Sequence, residues 1–265
     1  MNIFELTRIL NESKNDLLAK TKNQIHKNVE TIKDPALSDK MQTIEKITRF
    51  YSLSDSSRPK VIYNRLLATN FFNGDDVDWA EKFITKIPPE ERNSLSKRSL
   101  SGLRNVKLTS VIQLLRDKTF TKPGQPSIGR YELLFAFLVG GTKSDKSGDV
   151  IKDGKTYEIK CKDGTVGYLN ADVLQSFGIK SIEEINNNKI LEEKIIKYSI
   201  KNYIYDSTGK PKVNSLLYFY DNGNLLSYEA FTFGKNGFRK FLNSCYFKIE
   251  SHIGNQYRVK IKGLK

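Results

Sequence analysis

The sequence predicts an α/β (α+β) fold in which a helical N-terminal region precedes a core with a mixed β-sheet flanked by helices. Apolar residues at helical spacing dominate residues 1–120, whereas alternating patterns and two-residue turn signals begin after Gly140-Gly141. A stretch rich in proline and glycine, residues 122–127, lies between the helical region and the part of the chain that contains the strand patterns. We therefore predict a helical region over residues 1–122 and a sheet-containing domain over residues 123–265.

The predicted helical region consists of short helices separated by proline-containing breaks. These breaks occur at Asp34-Pro35, Arg58-Pro59 and Pro88-Pro89. Trp79 and Phe83 form an apolar pair at i, i+4 spacing, for which a core role is predicted. The apolar pattern between Leu100 and Leu115 predicts two more helices.

The predicted sheet-containing domain opens with a nearly all-apolar helix and continues with hairpins and capped helices. Asn170 and Ser181 are predicted helix N-caps, the second with Glu184 completing a capping box. The predicted elements in chain order are a helix over 128–139, two short strands around Asp153-Gly154, a helix over 189–203, a hairpin formed by 213–220 and 225–233 around Asn222-Gly223, a short helix over 238–242, and strands near 246–249 and 257–261.

The charge balance favours a polyanionic partner. The formal net charge is +14 and the pI is about 9.5, as expected of proteins that bind phosphate backbones. Residues 94–130 contain eight Lys or Arg against Asp117 alone, and residues 235–265 contain eight against Glu250 alone. Solvated basic faces are the alternative explanation. An anionic membrane surface is a weaker one, because no strongly amphipathic basic helix is evident.

Several classes of protein are excluded by residues that are scarce. Cys161 and Cys245 are too few for a disulfide scaffold or a thiolate zinc site, and His26 and His252 are too few for histidine-based nucleases. No stretch approaches the ~18 apolar residues of a membrane span, and the N-terminus lacks the pattern of a signal peptide. We expect no membrane association and a location in the cytoplasm, or in a virion if the chain is phage-encoded.

The segment from Asp149 to Lys160 carries the candidate chemistry. Asp153-Gly154 predicts a two-residue hairpin turn, which pairs Val150 with Tyr157 and Asp149 with Glu158. Because side chains alternate along a strand, Asp149, Glu158 and Lys160 share one face. Like charges opposite each other are destabilising unless a cation lies between them. Two carboxylates without histidine or cysteine suit Mg²⁺.

A third acid, Glu132, lies in the apolar helix predicted over 128–139. A carboxylate on an apolar helix face is costly unless a cation or a hydrogen-bond donor meets it, which favours a role beside Asp149 and Glu158. The alternative is that Glu132 benefits only from the helix N-terminus and faces solvent or pairs with Arg130. Asp145 and Asp163 are interpreted as loop residues.

The order Glu132, Asp149 and Glu158-Ile159-Lys160 resembles the PD-(D/E)xK nuclease superfamily, in particular its phage and mobile-element members. The resemblance spans roughly residues 128–180, and Gly148 stands where the named motif has proline. It implies a restriction-endonuclease-like core, with an acid-bearing helix, a β-hairpin bearing the Asp and the Glu-x-Lys tripeptide, and a further helix and strand.

The resemblance also implies roles for individual residues. Asp149 and Glu158 would bind Mg²⁺, with Mn²⁺ as a substitute, Glu132 would assist this ligand set, and Lys160 would position or deprotonate water. Gln175 resembles a glutamine found downstream in some members. With Arg130 and Lys162, it is expected to contact nucleic acid.

The expected function is that of a metal-dependent endonuclease that hydrolyses DNA. A nucleic-acid-binding or phage virion structural protein that keeps the fold without turnover is the alternative from a different class. An RNA-processing nuclease is a third, less favoured because no RNA-binding signature is evident. The N-terminal helices are expected to recognise a DNA site or a partner, or to bring two copies together as a homodimer.

Overall fold

The computed structural model describes residues 57–72, 74–120, 128–180, 182–234, 236–252 and 256–265. The chain divides into two compact units, Met1–Pro88 and Pro89–Lys265. The predicted boundary at residues 122–123 falls in a stretch outside the described residues, as do the helices predicted before residue 57. Residues 89–120 group with the second unit, so that unit begins before the predicted boundary.

Two helices are described in the first unit, α1 (Ser57–Leu67) and α2 (Gly74–Thr85). Trp79 and Phe83 stack one helical turn apart on α2, with ring centroids 4.9 Å apart. Phe83 is buried, and the Phe72 ring stacks on the other member of the pair, Trp79, at 5.9 Å. The predicted core role is confirmed for Phe83, whereas Trp79 is half-buried and stacks on both phenylalanine rings.

The second unit contains a mixed sheet, so the predicted fold class is confirmed. Within the described residues this sheet has six strands: β1 (Val106–Lys107), β2 (Thr142–Lys143), β3 (Val150–Lys152), β4 (Lys155–Lys160), β6 (Ser215–Asn222) and β7 (Leu225–Thr232). They lie in the order β1-β7-β6-β4-β3-β2, and of these only β4 and β6 run parallel to each other. Two 3₁₀ helices, Pro89–Leu95 and Ser101–Asn105, and the helix α3 (Ser110–Asp117) precede or flank the first strand.

The predicted hairpin at Asp153-Gly154 is confirmed in its register. Lys152 pairs with Lys155, and Val150 pairs with Tyr157. Asp153 and Gly154 both have positive φ, 49° and 71°, the left-handed conformation that a two-residue turn of this kind requires. Because the turn fixes the register, it also decides which side chains of β4 face the core.

The apolar helix α4 (Glu132–Val139) begins four residues later than predicted. Ile128 instead forms a β-bridge with Phe120, and Tyr131 has a left-handed backbone with φ of 72°. The backbone N–H of Tyr131 donates to the carbonyl oxygen of Arg116 at 2.8 Å, so contacts with α3 prevent an earlier start. All eight residues of α4 are buried, where the helix packs against α3 and β3.

The second predicted hairpin is also present, but its turn is displaced by one residue. Asn222 pairs with Leu225, so Gly223 and Asn224 form the turn instead of Asn222-Gly223. Gly223 has φ of 59°, which places the positive φ at the first central position. The long strands β6 and β7 carry the core of the sheet, with Leu216, Leu217 and Phe231 fully buried.

A second sheet and a long helix complete the unit. The described strands of this sheet are, in order, β5 (Thr165–Leu169), β9 (Tyr257–Leu264) and β8 (Cys245–Ser251). The remaining helices are α5 (Ala171–Ser176), α6 (Ile182–Asn186), α7 (Lys189–Ile204) and α8 (Gly237–Ser244). Helix α7 packs on this sheet, and Ile195 and Ile200 join Val259 and Ile261 in one core.

Helix caps follow the sequence where they can be described. The Asn170 side chain accepts a hydrogen bond from the N–H of Val173 at 3.0 Å, which confirms the predicted cap. Asn188 caps α7 in the same way through Leu191. The predicted cap Ser181 lies outside the described residues, and the Glu184 carboxylate accepts from the N–H of Lys180.

Candidate active site

The β3–β4 hairpin brings Asp149, Glu158 and Lys160 to one point. Asp149 lies just before β3 and does not pair with Glu158 as predicted: its N–H donates instead to the carbonyl oxygen of Tyr157 at 2.8 Å. The Lys160 ammonium lies 2.5 Å from Oε1 of Glu158 and 3.7 Å from Oδ2 of Asp149. The predicted shared face of these three side chains is therefore observed.

The opposite face of the hairpin is apolar, as alternation along the strands requires. Val150 and Ile159 are buried, and the Tyr157 ring contacts Phe135 of α4 with centroids 5.4 Å apart. This packing fixes β4 against α4 and leaves the acidic face no freedom to invert.

Lys160 balances the charge of the two carboxylates. Its side chain is only 13% exposed, and those of Glu158 and Asp149 are 10% and 21% exposed. Burial lowers the pKa of Lys160, but the charges of Asp149 and Glu158 outweigh burial and hold the pKa well above its ordinary value. Lys160 is thus a permanent cation between the acids, a position the sequence pattern assigned to a metal ion alone.

Asp149 is held by the backbone as well as by Lys160. Its Oδ2 accepts a hydrogen bond from the N–H of Ile159 at 2.7 Å, across the hairpin. Burial, together with the charge of Glu158, raises the pKa of Asp149 to about 6, although the charge of Lys160 opposes this rise. The carboxylate is therefore oriented before any ligand arrives.

Glu132 belongs to the same cluster. It is the first residue of α4 and is 7% exposed, and its Oε1 accepts the N–H of Gly129 at 2.7 Å. A Cβ at position 129 would lie 2.7 Å from that same oxygen, so only glycine permits this contact without a shift. Burial, followed by the charge of Asp149, raises the pKa of Glu132 to about 8. The alternative of an exposed Glu132 or one paired with Arg130 is wrong.

The start of α4 is anchored so that Glu132 points into the cluster. The Tyr131 hydroxyl donates to Oδ1 of Asp221 at 2.8 Å, and its ring stacks on Phe219 with centroids 5.3 Å apart. Arg116, which lies on α3, forms ion pairs with both Asp221 and Asp117. This network of buried and partly buried charges determines where the helix begins, and therefore where Glu132 lies.

Tyr203 is a member of the site that the sequence did not indicate. Its hydroxyl donates a short hydrogen bond to Oε1 of Glu158, and burial raises the pKa of Tyr203. Tyr203 lies on α7, 45 residues from Glu158 in the chain. The helical pattern of α7 predicts that its Ile residues are buried, but it gives no signal that distinguishes Tyr203 from Tyr198 on the same helix.

The donor set fits a divalent cation that prefers oxygen. In the described residues, one oxygen of each acid receives no hydrogen bond or ion pair: Oε2 of Glu132, Oδ1 of Asp149 and Oε2 of Glu158. No three His, Cys, Asp or Glu side chains in the described ranges stand close enough to hold a metal together. Mg²⁺ needs only one or two protein carboxylates, so Asp149 and Glu158 are the candidate ligands and Glu132 is a neighbouring charge.

The three residues predicted to contact nucleic acid are all exposed on the surface. Arg130 is exposed, and its Nε donates to Oδ1 of Asp117 at 2.5 Å. Lys162 is exposed in the turn after β4, and Gln175 is exposed on α5. Among the described residues, Gln175 makes no side-chain contact with the acidic cluster. Asp163, interpreted as a loop residue, lies in that same turn and pairs with Lys262 at 2.6 Å.

Comparison of the chain with protein-family models, with curated proteins and with solved structures gives no match. Over the ranges described, no helix combines the length and apolar character needed to cross a membrane. The geometry of the cluster therefore carries the functional argument.

The raised pKa of Glu132 predicts a pH-dependent stability of the metal-free protein. Below about pH 4.5 the side chain is protonated in both the folded and the unfolded states, and between 4.5 and about 8 only the folded state keeps the proton. Stability is therefore lost as the pH rises through this window. In EDTA, we expect the wild type to lose on the order of 5 kcal/mol relative to Glu132→Gln across it.

Urea unfolding of both proteins at a series of pH values measures this difference. The amide oxygen of the introduced glutamine can still accept the N–H of Gly129, so the substitution removes the titration and keeps the hydrogen bond. Parallel pH profiles for the two proteins would show that Glu132 ionises normally, contrary to its burial beside Asp149.

Proposed function

We propose that this chain is a Mg²⁺-dependent endonuclease that hydrolyses DNA phosphodiester bonds, with Mn²⁺ able to replace Mg²⁺. The observation that carries the proposal is the buried cluster of Asp149, Glu158 and Lys160, in which each acid keeps an oxygen without a hydrogen bond from the described residues. Two oriented carboxylates, a fixed ammonium and a basic chain are the components that phosphodiester hydrolysis requires.

The resemblance to the PD-(D/E)xK superfamily is consistent with this arrangement and is part of the proposal. The hairpin presents Asp149, Glu158 and Lys160 on one face, and α4 adds Glu132 from the neighbouring layer. The observed parallel pairing of β4 with β6 also gives the mixed sheet that the resemblance implies. These features come from separate parts of the chain, so their meeting is not a consequence of the motif spacing alone.

Each residue has a distinct part in the proposed reaction. A bound Mg²⁺ would activate water and neutralise charge that develops on the phosphate. Asp149 and Glu158 would hold the ion through their free oxygens, and the Ile159 N–H and the Tyr203 hydroxyl keep the two carboxylates oriented. Lys160 would donate to a phosphate oxygen. Its ion pairs favour the charged ammonium, which argues for this role over deprotonation of water.

The alternative is a nucleic-acid-binding or phage virion structural protein without turnover. The ion pairs of Lys160 with Asp149 and Glu158 favour it specifically, since they balance the acids without a metal. Mg²⁺ distinguishes the two functions, because only a protein that binds the ion in its folded state gains stability from it.

A plasmid assay tests the proposed function. Supercoiled DNA is incubated with the full chain in Mg²⁺ and in EDTA, with linear, single-stranded and branched DNA and a matched RNA in parallel. We expect nicked and linear products only in Mg²⁺. The proposal fails if a folded protein cuts none of these substrates in Mg²⁺, and preferential cleavage of RNA would assign the activity to RNA processing.

Tyr203 is expected to act as a positioning residue for Glu158. Removing its hydroxyl in Tyr203→Phe frees the Glu158 carboxylate to rotate, and loss of such a supporting hydrogen bond weakens metal affinity by about 10- to 100-fold. The Mg²⁺ concentration for half-maximal cleavage should rise accordingly, and excess Mg²⁺ should restore the rate.

Tyr198→Phe is the matched control, because Tyr198 lies on the same helix and its ring packs against Phe177, away from the acids. Equal Mg²⁺ requirements in the two variants would show that the Tyr203 hydroxyl has only a structural role.

A further inference from the structure

A cleft of about 430 Å³ opens directly beside the acidic cluster. Glu158 and Tyr203, which belong to the candidate active site, line it together with Lys146, Lys212 and Tyr168. Its volume lies within the range of about 300–1,000 Å³ typical of small-ligand sites. A molecule in this cleft would contact the carboxylate that we propose as a metal ligand.

Tyr168 presents an aromatic surface at the cleft. It lies on β5, its side chain is 57% exposed, and its ring centroid is 6.0 Å from that of Tyr203. The Arg258 guanidinium lies 5.7 Å from the Tyr168 centroid, so the ring contacts both a cation and a second ring. A fixed, exposed aromatic ring is the feature on which single-strand-binding proteins stack bases.

The two lysines of the cleft supply positive charge that is not neutralised. Lys146 is exposed and has no acidic partner among the described residues. The Lys212 ammonium donates to the backbone carbonyl of Asn202 at 2.7 Å, which orients it without cancelling its charge. Two uncompensated cations near an aromatic ring match the phosphates and the base of one nucleotide.

We propose that this cleft binds an unpaired nucleotide of single-stranded DNA, with the base against Tyr168 and flanking phosphates at Lys146 and Lys212. A duplex does not suit the cleft, because its bases are stacked on one another and the volume accommodates about one nucleotide. The proposed binding of a nucleotide depends only on the residues that line the cleft. The further idea that binding brings a phosphate to Glu158 for cleavage rests on the proposed function. The substrate class is therefore DNA that offers an unpaired nucleotide: a single strand, a branched junction or a locally unwound stretch of a supercoiled plasmid.

Fluorescence anisotropy in EDTA tests the binding surface without cleavage. The probes are a labelled oligothymidylate and a duplex of the same length. We expect the wild type to prefer the single strand, and Tyr168→Leu to weaken single-strand binding by roughly 5- to 100-fold while duplex binding changes little.

Tyr246→Leu is a closely matched control. Tyr246 is also 57% exposed, and the Lys265 ammonium lies 5.7 Å from its ring, but it does not line the cleft. Its replacement should leave single-strand binding unchanged. Equal weakening by the two tyrosine variants, or equal loss of duplex and single-strand binding in Tyr168→Leu, would overturn the inference.

Lys146→Gln provides a second variant that is independent of aromatic packing. It should weaken single-strand binding and reduce its salt dependence, whereas Lys197→Gln on the exposed face of α7 should do neither. No effect of Lys146→Gln would contradict the proposed phosphate contact.

The two proposals can fail separately. Mg²⁺-dependent cleavage combined with Tyr168-independent binding would overturn the cleft assignment alone. Tyr168-dependent single-strand binding by a protein that cleaves nothing would support the cleft and overturn the nuclease assignment.

Discussion

Asp149→Asn is expected to reduce Mg²⁺-dependent plasmid cleavage by about 10²- to 10³-fold, the cost of removing one group that organises charge in the transition state. The asparagine oxygen can still accept the N–H of Ile159, so the hairpin should keep its geometry. DNA binding in EDTA should largely persist, because the basic residues are unchanged. Initial nicking rates and anisotropy measure the two effects separately.

Asp153→Asn is the matched control for Asp149→Asn. Asp153 lies in the turn of the same hairpin, its side chain is 78% exposed, and asparagine before glycine suits this turn equally well. This variant should cut at the wild-type rate. Full nicking activity in Asp149→Asn would remove the candidate ligand from the mechanism.

Lys160→Met is expected to destabilise the metal-free protein by about 3–5 kcal/mol, since it leaves two buried carboxylates without their cation. Methionine has a side chain of similar length, so the loss reflects charge more than packing. Saturating Mg²⁺ should restore much of this stability, because a dication neutralises the same pair. Cleavage should remain low, since the donor to the phosphate is absent.

Urea unfolding in EDTA and in Mg²⁺ measures both parts of this prediction. Lys260→Met is the control, because Lys260 also pairs with a carboxylate, that of Glu250 at 2.9 Å, but both side chains are more than a quarter exposed. Such a pair contributes about 0.2–1 kcal/mol. If Lys160→Met loses no more stability than Lys260→Met, the buried cluster does not depend on Lys160.

Local sequence signals predicted the part of the site that is made by local structure. The Asp153-Gly154 turn fixes the register of β3 and β4, which places Glu158 and Lys160 on one face and brings Asp149, the residue before β3, next to them. The apolar sequence of α4 likewise predicted that Glu132, the acid in that helix, lies beside Asp149 and Glu158. These inferences needed no knowledge of distant contacts.

The features that the sequence did not predict depend on contacts between distant residues. Helix α4 begins at Glu132 because Ile128 pairs with Phe120 and Tyr131 is bonded to Asp221. Tyr203 reaches Glu158 only through the packing of α7 against the sheets. Periodicity along one segment carries no information on such contacts, and the small shift of the second hairpin turn to Gly223 arises similarly from pairing along the full length of β6 and β7.

The sequence predicts the position of Lys160 on the acidic face but not its role as the counter-charge of the two carboxylates. Two carboxylates on neighbouring strands require a counter-charge, and the sequence supplies one two residues away on the same face as Glu158. The Lys160 ammonium therefore neutralises part of the charge of the two carboxylates. A metal ion that binds them has to displace this ammonium from some of its contacts. That competition is the physical basis of the stability predictions for Lys160→Met.

The proposed ion between Asp149 and Glu158 is tested most directly by a crystal structure of the full chain grown with Mn²⁺, recorded at a wavelength where manganese scatters anomalously. We expect one strong anomalous peak within bonding distance of Oδ1 of Asp149 and Oε2 of Glu158, absent from crystals of Asp149→Asn. A map without a peak at these oxygens, with the Lys160 ammonium still between the carboxylates in saturating Mn²⁺, would contradict the assignment of a metal-dependent active site.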